Sequence, residues 1–200
     1  MLRWKLFRAG MLGIAGVFIT ILCVDISLIV QTTDAKMVAS VSVLPAIPAE
    51  QPDTGIPVRL QIPAIHIDAP IISVGLSSDG TMEMPKGPTD AAWFDIGPRP
   101  GEKGSAVISG HYGWKDGVAA LFDNLHMLKK GDVIYVENEQ GVTNNFIVRE
   151  LRTYGENDDS SDVFGSNDTK AHLNLITCEG TWNKAKKSYS DRLIVFTDKK

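Results

Sequence analysis

Three side chains able to act as nucleophile, proton carrier or cation lie next to predicted β-strands. Cys178 follows the strand-like run 173–177, His111 follows the run 105–110, and Arg192 opens a third run. A thiolate can attack a carbonyl, an imidazole can move a proton, and a guanidinium can support a negatively charged oxygen. Together these groups are typical of a cysteine transpeptidase or hydrolase.

The cysteine count supports a reactive role for Cys178. The only other cysteine, Cys23, lies in an apolar N-terminal segment, so the rest of the chain cannot form an internal disulfide. A lone thiol in an exported domain is a liability unless its reactivity is used. The alternative is an inert core thiol, because free cysteine is often buried. The junction between a strand and a polar turn favours the reactive interpretation.

Four histidines compete for the role of proton carrier. Glycines lie one residue before and two residues after His111, which allows sharp turning and close approach to a site. His172 starts the strand that leads to Cys178, and six residues of extended chain place it roughly 20 Å from the thiol. His66 and His126 are expected to be structural or surface groups, but the sequence alone leaves them open as candidates.

The N-terminal part of the chain has the composition of a membrane anchor followed by a spacer. Residues 1–8 contain the basic residues Arg3, Lys5 and Arg8. Residues 9–30 are mostly apolar, with Asp25 as their one charged residue, and the segment is long enough to span a bilayer. Basic residues before the apolar segment predict a short cytoplasmic N-terminus and an extracellular catalytic domain, hence a single-pass protein of the cell membrane. The proline-rich residues 31–57 predict an extended extracellular linker. The alternative is a cleaved signal peptide, although no Ala-x-Ala site follows closely.

Residues 58–200 are predicted to form one mainly β domain. The net charge of −4, without a dense basic patch, argues against nucleic-acid binding. Many short β-type runs between turn residues predict a closed or nearly closed β-barrel. Residues 119–128 are the best helix candidate, because apolar side chains recur there at helical spacing. The predicted strands cover residues 58–62, 69–74, 81–84, 105–109, 132–137, 145–154, 172–177 and 192–197.

These motifs make the chain resemble the sortases, the membrane-anchored cysteine transpeptidases of bacterial cell surfaces. Sortases end their seventh strand in Thr-Leu-x-Thr-Cys, with an arginine at the start of the eighth and a histidine at the end of the fourth. This chain reads Asn174-Leu175-Ile176-Thr177-Cys178, then Arg192, and has Ser109-Gly110-His111. The resemblance covers the whole domain, and it is greatest to the class E and class F sortases. Other similar stretches are Ile62-Pro63-Ala64-Ile65, Pro100-Gly101-Glu102-Lys103-Gly104 and Lys130-Gly131-Asp132.

The resemblance implies an eight-stranded sortase-type β-barrel with one or two short helices, preceded by an N-terminal transmembrane helix. It also implies a substrate groove on the fourth and seventh strands, walled by the loop 155–170. Asn174 replaces the first threonine of the family signature. Because Asn174 lies within the strand, four residues before Cys178, we expect changed packing there and not lost chemistry.

The resemblance further implies recognition of a C-terminal sorting motif of the Leu-Pro-x-Thr-Gly type on exported proteins. Cys178 would attack the threonine carbonyl, His111 would protonate the departing glycine amine, and Arg192 would support the oxyanion of a reaction that passes through a thioacyl intermediate. Thr177 and the backbone N–H of Glu179 are expected to take part in substrate or oxyanion binding. An amine from a peptidoglycan precursor or a pilin lysine would resolve the intermediate.

Other functions are compatible with the sequence at this point. A cysteine hydrolase would use the same thiol and imidazole with water as acceptor, and a silent membrane-anchored binding module would need only the barrel and linker. An L,D-transpeptidase would carry a Ser-His-Gly-Cys run, which is absent. The acidic residues 156–162 could bind Ca²⁺, as some sortases do, but their spacing matches no complete site. We therefore expect no cofactor and no metal.

Overall fold

The computed structural model describes residues 54–200, and its architecture is a closed barrel of eight strands. The strands are β1 (Pro57–Ile62), β2 (Ile67–Val74), β3 (Ala91–Phe94), β4 (Gly104–Ser109), β5 (Val133–Asn138), β6 (Thr143–Gly155), β7 (Ala171–Asn183) and β8 (Ser188–Lys199). They are hydrogen-bonded in the order β1-β2-β3-β4-β7-β8-β6-β5, and β5 returns to β1. The predicted mainly β, eight-stranded barrel is confirmed.

Helical structure is sparse in the described residues. There is one α-helical turn, α1 (Ser161–Phe164), and there are three 3₁₀ turns at Pro63–Ile65, Lys115–Gly117 and Leu125–Met127. Within residues 54–200 no helix combines the length and apolar character needed to cross a bilayer. The predicted anchor at residues 9–30 and most of the predicted linker lie outside the described residues.

The helix predicted at residues 119–128 is wrong, since only Leu125–Met127 is helical and it is a 3₁₀ turn. The apolar periodicity has another cause: Phe122, Leu125 and Leu128 all pack into the barrel core from an irregular segment. The Asp123 carboxylate accepts the backbone N–H groups of Gly113 and Ala120. Side-chain bonds of this kind satisfy the backbone without a helix.

In the N-terminal half of the domain, one strand was not predicted and one predicted strand is absent. The strand β3 was not predicted, because its four residues are all buried and show no alternation between apolar and polar side chains. Residues 81–84 form no strand, and only an isolated bridge joins Leu76 to Met82. Asp79 closes this turn by accepting hydrogen bonds from Ser77 and Thr81, which lower the pKa of its carboxyl to about 2.

The segment 179–190, which lies between the predicted strands 172–177 and 192–197, is mostly a β-hairpin. After a bulge between Glu179 and Trp182, β7 and β8 pair again through Trp182 with Tyr189, whose rings meet edge to face at 5.1 Å. Cross-strand aromatic pairs stabilise such hairpins. Cys178 and Arg192 therefore lie inside long strands, and not at a strand end and a strand start as predicted.

Side chains along β4 and β7 point alternately into the barrel and outward, and they contribute to two separate hydrophobic clusters. Ala106, Ile108, Leu173 and Leu175 point into the barrel core. The intervening residues face outward, where the turn α1 covers a second cluster. That outer cluster contains Phe94, Val107, Tyr154, Val163, Ile176, Ile194 and Phe196. Because side chains alternate between faces, Cys178 belongs to the outer face together with Ile176.

Candidate active site

Strand register brings the three candidate catalytic side chains together. β4 and β7 run parallel, with Ser109 paired to Ile176, and the same register continued for two residues places His111 beside Cys178. β7 and β8 run antiparallel, with Cys178 directly opposite Arg192. All three side chains line one cavity of about 610 Å³. The constellation predicted from motif spacing is therefore assembled by three neighbouring strands.

The backbone before His111 is held closely against the core. A Cβ atom on Gly110 would lie 2.6 Å from a ring carbon of Phe122, so only glycine fits there without displacement of that buried ring. The Phe122 N–H donates to the His111 carbonyl at 2.9 Å. The Thr177 hydroxyl donates to the Gly110 carbonyl, also at 2.9 Å. These contacts fix the chain from which the imidazole projects.

The imidazole of His111 is oriented by a backbone carbonyl that no motif pointed to. Nε2 lies 2.7 Å from the carbonyl oxygen of Pro85, in the loop between β2 and β3. A carbonyl oxygen only accepts, so this nitrogen carries the proton, and Nδ1 is the lone-pair nitrogen of the neutral ring. The ring also packs edge to face on Trp114 at 4.7 Å. Nδ1 is thus the ring atom available for proton exchange.

The thiol of Cys178 is partly buried and free of disulfide bonding. Burial raises its pKa, and the positive charge of Arg192 opposes that rise. The thiol form is therefore favoured at neutral pH, and attack on a carbonyl requires a group that removes the proton. The Arg192 guanidinium donates to the backbone carbonyls of Tyr189 and Asp191, at 3.1 and 2.7 Å, which hold it at the cavity edge.

Thr177 and Glu179, the other predicted site residues, have side chains engaged elsewhere. Thr177 is buried, and its hydroxyl ties β7 to the segment after β4. Glu179 accepts a hydrogen bond from the Thr153 hydroxyl on β6 at 2.8 Å. Neither residue lines the cavity around Cys178. A role for the Glu179 backbone N–H in oxyanion binding stays a prediction.

The remaining histidines do not line the cavity around Cys178. His172 is buried near the start of β7, where its two ring nitrogens contact carboxylate oxygens of Asp198 and Asp168 at 2.9 and 2.8 Å. His66 is exposed in a left-handed conformation, and His126 contacts the Asp123 carbonyl. His111 is thus the one histidine among residues 54–200 that shares a cavity with the thiol.

Several cavity residues were not identified as site residues from the sequence. Four aromatic rings form much of the wall, and Met84 and two lysines complete it. The only sequence signal was the presence of aromatic residues in polar segments, and this signal did not show that their side chains point toward Cys178. The missed lining residues are Met84, Lys115, Trp182, Lys187, Ser188 and Tyr189, whereas Tyr112 and Trp114 belong to the segment directly after His111.

The loop 155–170 contains α1, which contacts β4, but no residue of this loop lines the cavity around Cys178, so its role as a groove wall stays a prediction. In α1, Val163 is fully buried, and Phe164 meets Phe94 edge to face at 5.6 Å. The Asn174 amide donates to the Val163 carbonyl at 2.7 Å. The residue that departs from the family signature therefore connects this loop to β7.

Comparison with known proteins agrees with this geometry. A family model described as the sortase domain matches residues 60–200. Sortase C-1 from Actinomyces oris is 26% identical, with 72% of this chain and 73% of that chain covered and a TM-score of 0.54. Sortase A from Corynebacterium diphtheriae is 26% identical, with 76% of this chain and 63% of that chain covered and a TM-score of 0.56.

A third similar structure, sortase C2 of Group B Streptococcus pilus island 1, is 25% identical, covers 72% of this chain and 73% of that chain, and has a TM-score of 0.54. No curated protein matches the chain. Because the similar structures are named as A and C sortases, membership of class E or F stays a prediction. The family model spans well over half of the sequence, and the barrel agrees with it, so the chain belongs to the sortase family of cysteine transpeptidases.

Proposed function

We propose that this sortase cleaves a Leu-Pro-x-Thr-Gly-like C-terminal motif of exported proteins and transfers the acyl-threonine to an amine on the cell surface. The observation that carries the proposal is the shared cavity of Cys178, His111 and Arg192. These residues come from distant parts of the sequence, and each has the chemistry that one step of acyl transfer requires. The family gives the reaction class, and the cavity supports the assignment of roles.

In the proposed reaction, Nδ1 of His111 takes the thiol proton of Cys178 as the sulfur bonds to the threonine carbonyl carbon. The carbonyl oxygen becomes an oxyanion beside the Arg192 guanidinium, which stabilises the developing charge. Collapse of this intermediate breaks the Thr–Gly bond, and His111 returns its proton to the leaving glycine amine. An incoming amine then attacks the thioester and gives a proton to His111. His111 passes this proton to the departing Cys178 sulfur, which restores the thiol.

We further propose that residues 9–30 anchor the protein in the cell membrane and that residues 31–57 hold the domain outside the cell. The basic residues before the apolar segment and its adequate length support this proposal. A membrane-held enzyme would meet its substrates as they leave the membrane. The proposed partners are exported proteins with a sorting motif and an amine from a peptidoglycan precursor or a pilin lysine.

The decisive experiment is mass spectrometry of products from a library of sorting-motif peptides, with and without added amines. We expect an amide product with amine present, and no product from Cys178→Ala that is folded by circular dichroism. Acid product alone, at every amine concentration, would identify a hydrolase. No conversion of any peptide, with retained peptide binding, would identify a binding module.

A further inference from the structure

The cavity around Cys178 carries positive charge without a carboxylate in its lining. Lys115, Lys187 and Arg192 all line it, and none of the lining residues described in the structure is acidic. Neither lysine has an ion-pair partner within residues 54–200. The three cations come from the turn after β4, from the β7–β8 turn and from β8, so the fold concentrates them from separate segments.

Two acidic residues within electrostatic reach of this region, Asp123 and Glu156, are occupied by other groups, and Asp116, which follows Lys115 in the chain, does not line the cavity. Asp123 accepts two backbone N–H groups, at 2.7 and 2.9 Å. Glu156 is within electrostatic reach of Arg192, but its carboxylate pairs with Lys186 at 2.6 Å, outside the cavity lining. The side chains that line the cavity therefore carry a net positive charge, which attracts anionic groups.

The same cavity has an apolar aromatic wall. The Tyr189 ring meets Tyr112 at 5.3 Å and Trp182 at 5.1 Å, both edge to face. Burial raises the pKa of the Tyr189 hydroxyl, and Tyr112, Cys178 and Asp123 raise it further. That hydroxyl is therefore neutral at physiological pH and adds no negative charge. Such a wall can pack against carbon chains and limit access of water to a thioester.

We propose that this cavity is the acceptor site and that it selects amines that carry a free carboxylate near the reacting nitrogen. This inference rests on the proposed transpeptidation and names the class of its second substrate. Lys115 and Lys187 attract the carboxylate of an amino-acid-type acceptor. Their positive charge also disfavours the ammonium form of the acceptor, so the neutral, nucleophilic amine is favoured near Cys178. The side-chain amine of an internal lysine has no carboxylate nearby. Lys115 and Lys187 would therefore favour its neutral form but would not attract it.

The test compares diglycine with diglycinamide as acceptors, at equal concentrations of free amine. The two molecules present the same primary amine and differ in the terminal carboxylate. We expect kcat/KM for transfer to be about two- to fivefold higher for diglycine at low salt, the range that one exposed ion pair gives. The preference should shrink as ionic strength rises toward 1 M, because salt screens exposed charges. Nα-acetyl-lysine amide, which mimics an internal lysine, should behave like diglycinamide.

The matched variants are Lys115→Gln, Lys187→Gln and, as control, Lys184→Gln. Lys184 lies in the same β7–β8 turn as Lys187 but does not line the cavity. Each cavity variant should lower the ratio of the two kcat/KM values, and the double variant should bring it close to one. The control should keep the wild-type ratio. Using a ratio removes any effect of a variant on the step that forms the thioester.

A wild-type ratio near one, or a ratio unchanged in the folded double variant, would overturn the inference while leaving transpeptidation intact. A carboxylate preference confined to cleavage of the donor peptide would also overturn it, because the cations would then serve the leaving peptide. If no amine captures the acyl group, the proposed function fails first and the acceptor site fails with it. Thioester formation, detected as an adduct on Cys178 by intact mass, distinguishes these cases.

Discussion

At the level of single residues, the charge of Arg192 opposes the effect of burial on Cys178. Arg192→Ala removes the cation that stabilises the thiolate, so the pKa of the thiol should rise further. The pH midpoint of alkylation by iodoacetamide should move to higher pH, and alkylation at neutral pH should slow. Turnover should fall by about 10²-fold or more if the guanidinium also holds the oxyanion.

Arg192→Lys provides the control, since it keeps the charge but loses the guanidinium, whose Nη1 contacts two backbone carbonyls. We expect an alkylation midpoint close to that of the wild type, with turnover still reduced. An unchanged or lower midpoint in Arg192→Ala would show that the guanidinium does not act on the thiol.

The contact between His111 and Pro85 leads to a second prediction, which concerns the ring nitrogen that carries the proton in neutral His111. Because Nε2 donates to a carbonyl, the neutral ring should be the Nε2–H tautomer. Long-range ¹⁵N–¹H correlation spectra of the domain at high pH would show which nitrogen is protonated. A dominant Nδ1–H tautomer would contradict the proposed proton path and would require Nε2 to be the base.

At the level of elements, the turn α1 depends on Asn174. In Asn174→Thr, which restores the residue of the family signature, the bond to the Val163 carbonyl is lost. We expect faster amide hydrogen exchange across residues 161–164 and a loss of about 1 kcal/mol in the free energy of unfolding. Ser161→Ala, exposed on α1, is the control and should leave exchange in the barrel strands unchanged. Equal exchange rates in Asn174→Thr and the wild type would mean that packing of Val163 alone holds α1.

The acidic loop after β6 leads to the expectation that activity does not require Ca²⁺. Each of its carboxylates already has a protein partner, so a cation would have to displace hydrogen bonds or ion pairs. The partners are Lys186 for Glu156, the Gly155 N–H for Asp158, the Ser161 N–H for Asp159, and Arg152 with Tyr154 for Asp162. Transfer rates should agree in chelator and in millimolar calcium. A several-fold stimulation that disappears when Asp158 and Asp159 become Asn would reveal a calcium site.

At the level of the whole molecule, residues 9–30 are predicted to remain in the mature protein as its anchor. Their apolar length and the basic residues before them are the reasons. Intact-mass measurement of membrane-extracted protein should give the full-length chain, and protease added to spheroplasts should remove the domain. A mature N-terminus beyond residue 30, or a protected domain, would refute the topology.

The accuracy of the sequence predictions depended on whether the signal was local. Motifs such as Ser109-Gly110-His111 are local, and they identified strand neighbours that the register confirms. The helix expected at 119–128 failed because Phe122 and Leu125 take their spacing from the core they fill, and not from a helical backbone. The hairpin at 179–190 was missed since its pairing depends on contact between Trp182 and Tyr189 across the turn.

The sequence by itself indicated the barrel, through its many short β-type runs, and the three candidate catalytic side chains, through their positions next to predicted strands. It indicated the family through the resemblance of short motifs around these residues to those of sortases. Only the tertiary structure decided which nitrogen of His111 contacts the Pro85 carbonyl, since every residue has a backbone carbonyl and such a contact has no sequence signature. It also decided the charge of the cavity. Lys115 and Lys187 lie far apart in the chain, and the pairing of β4 with β7 brings both to the cavity that holds Cys178.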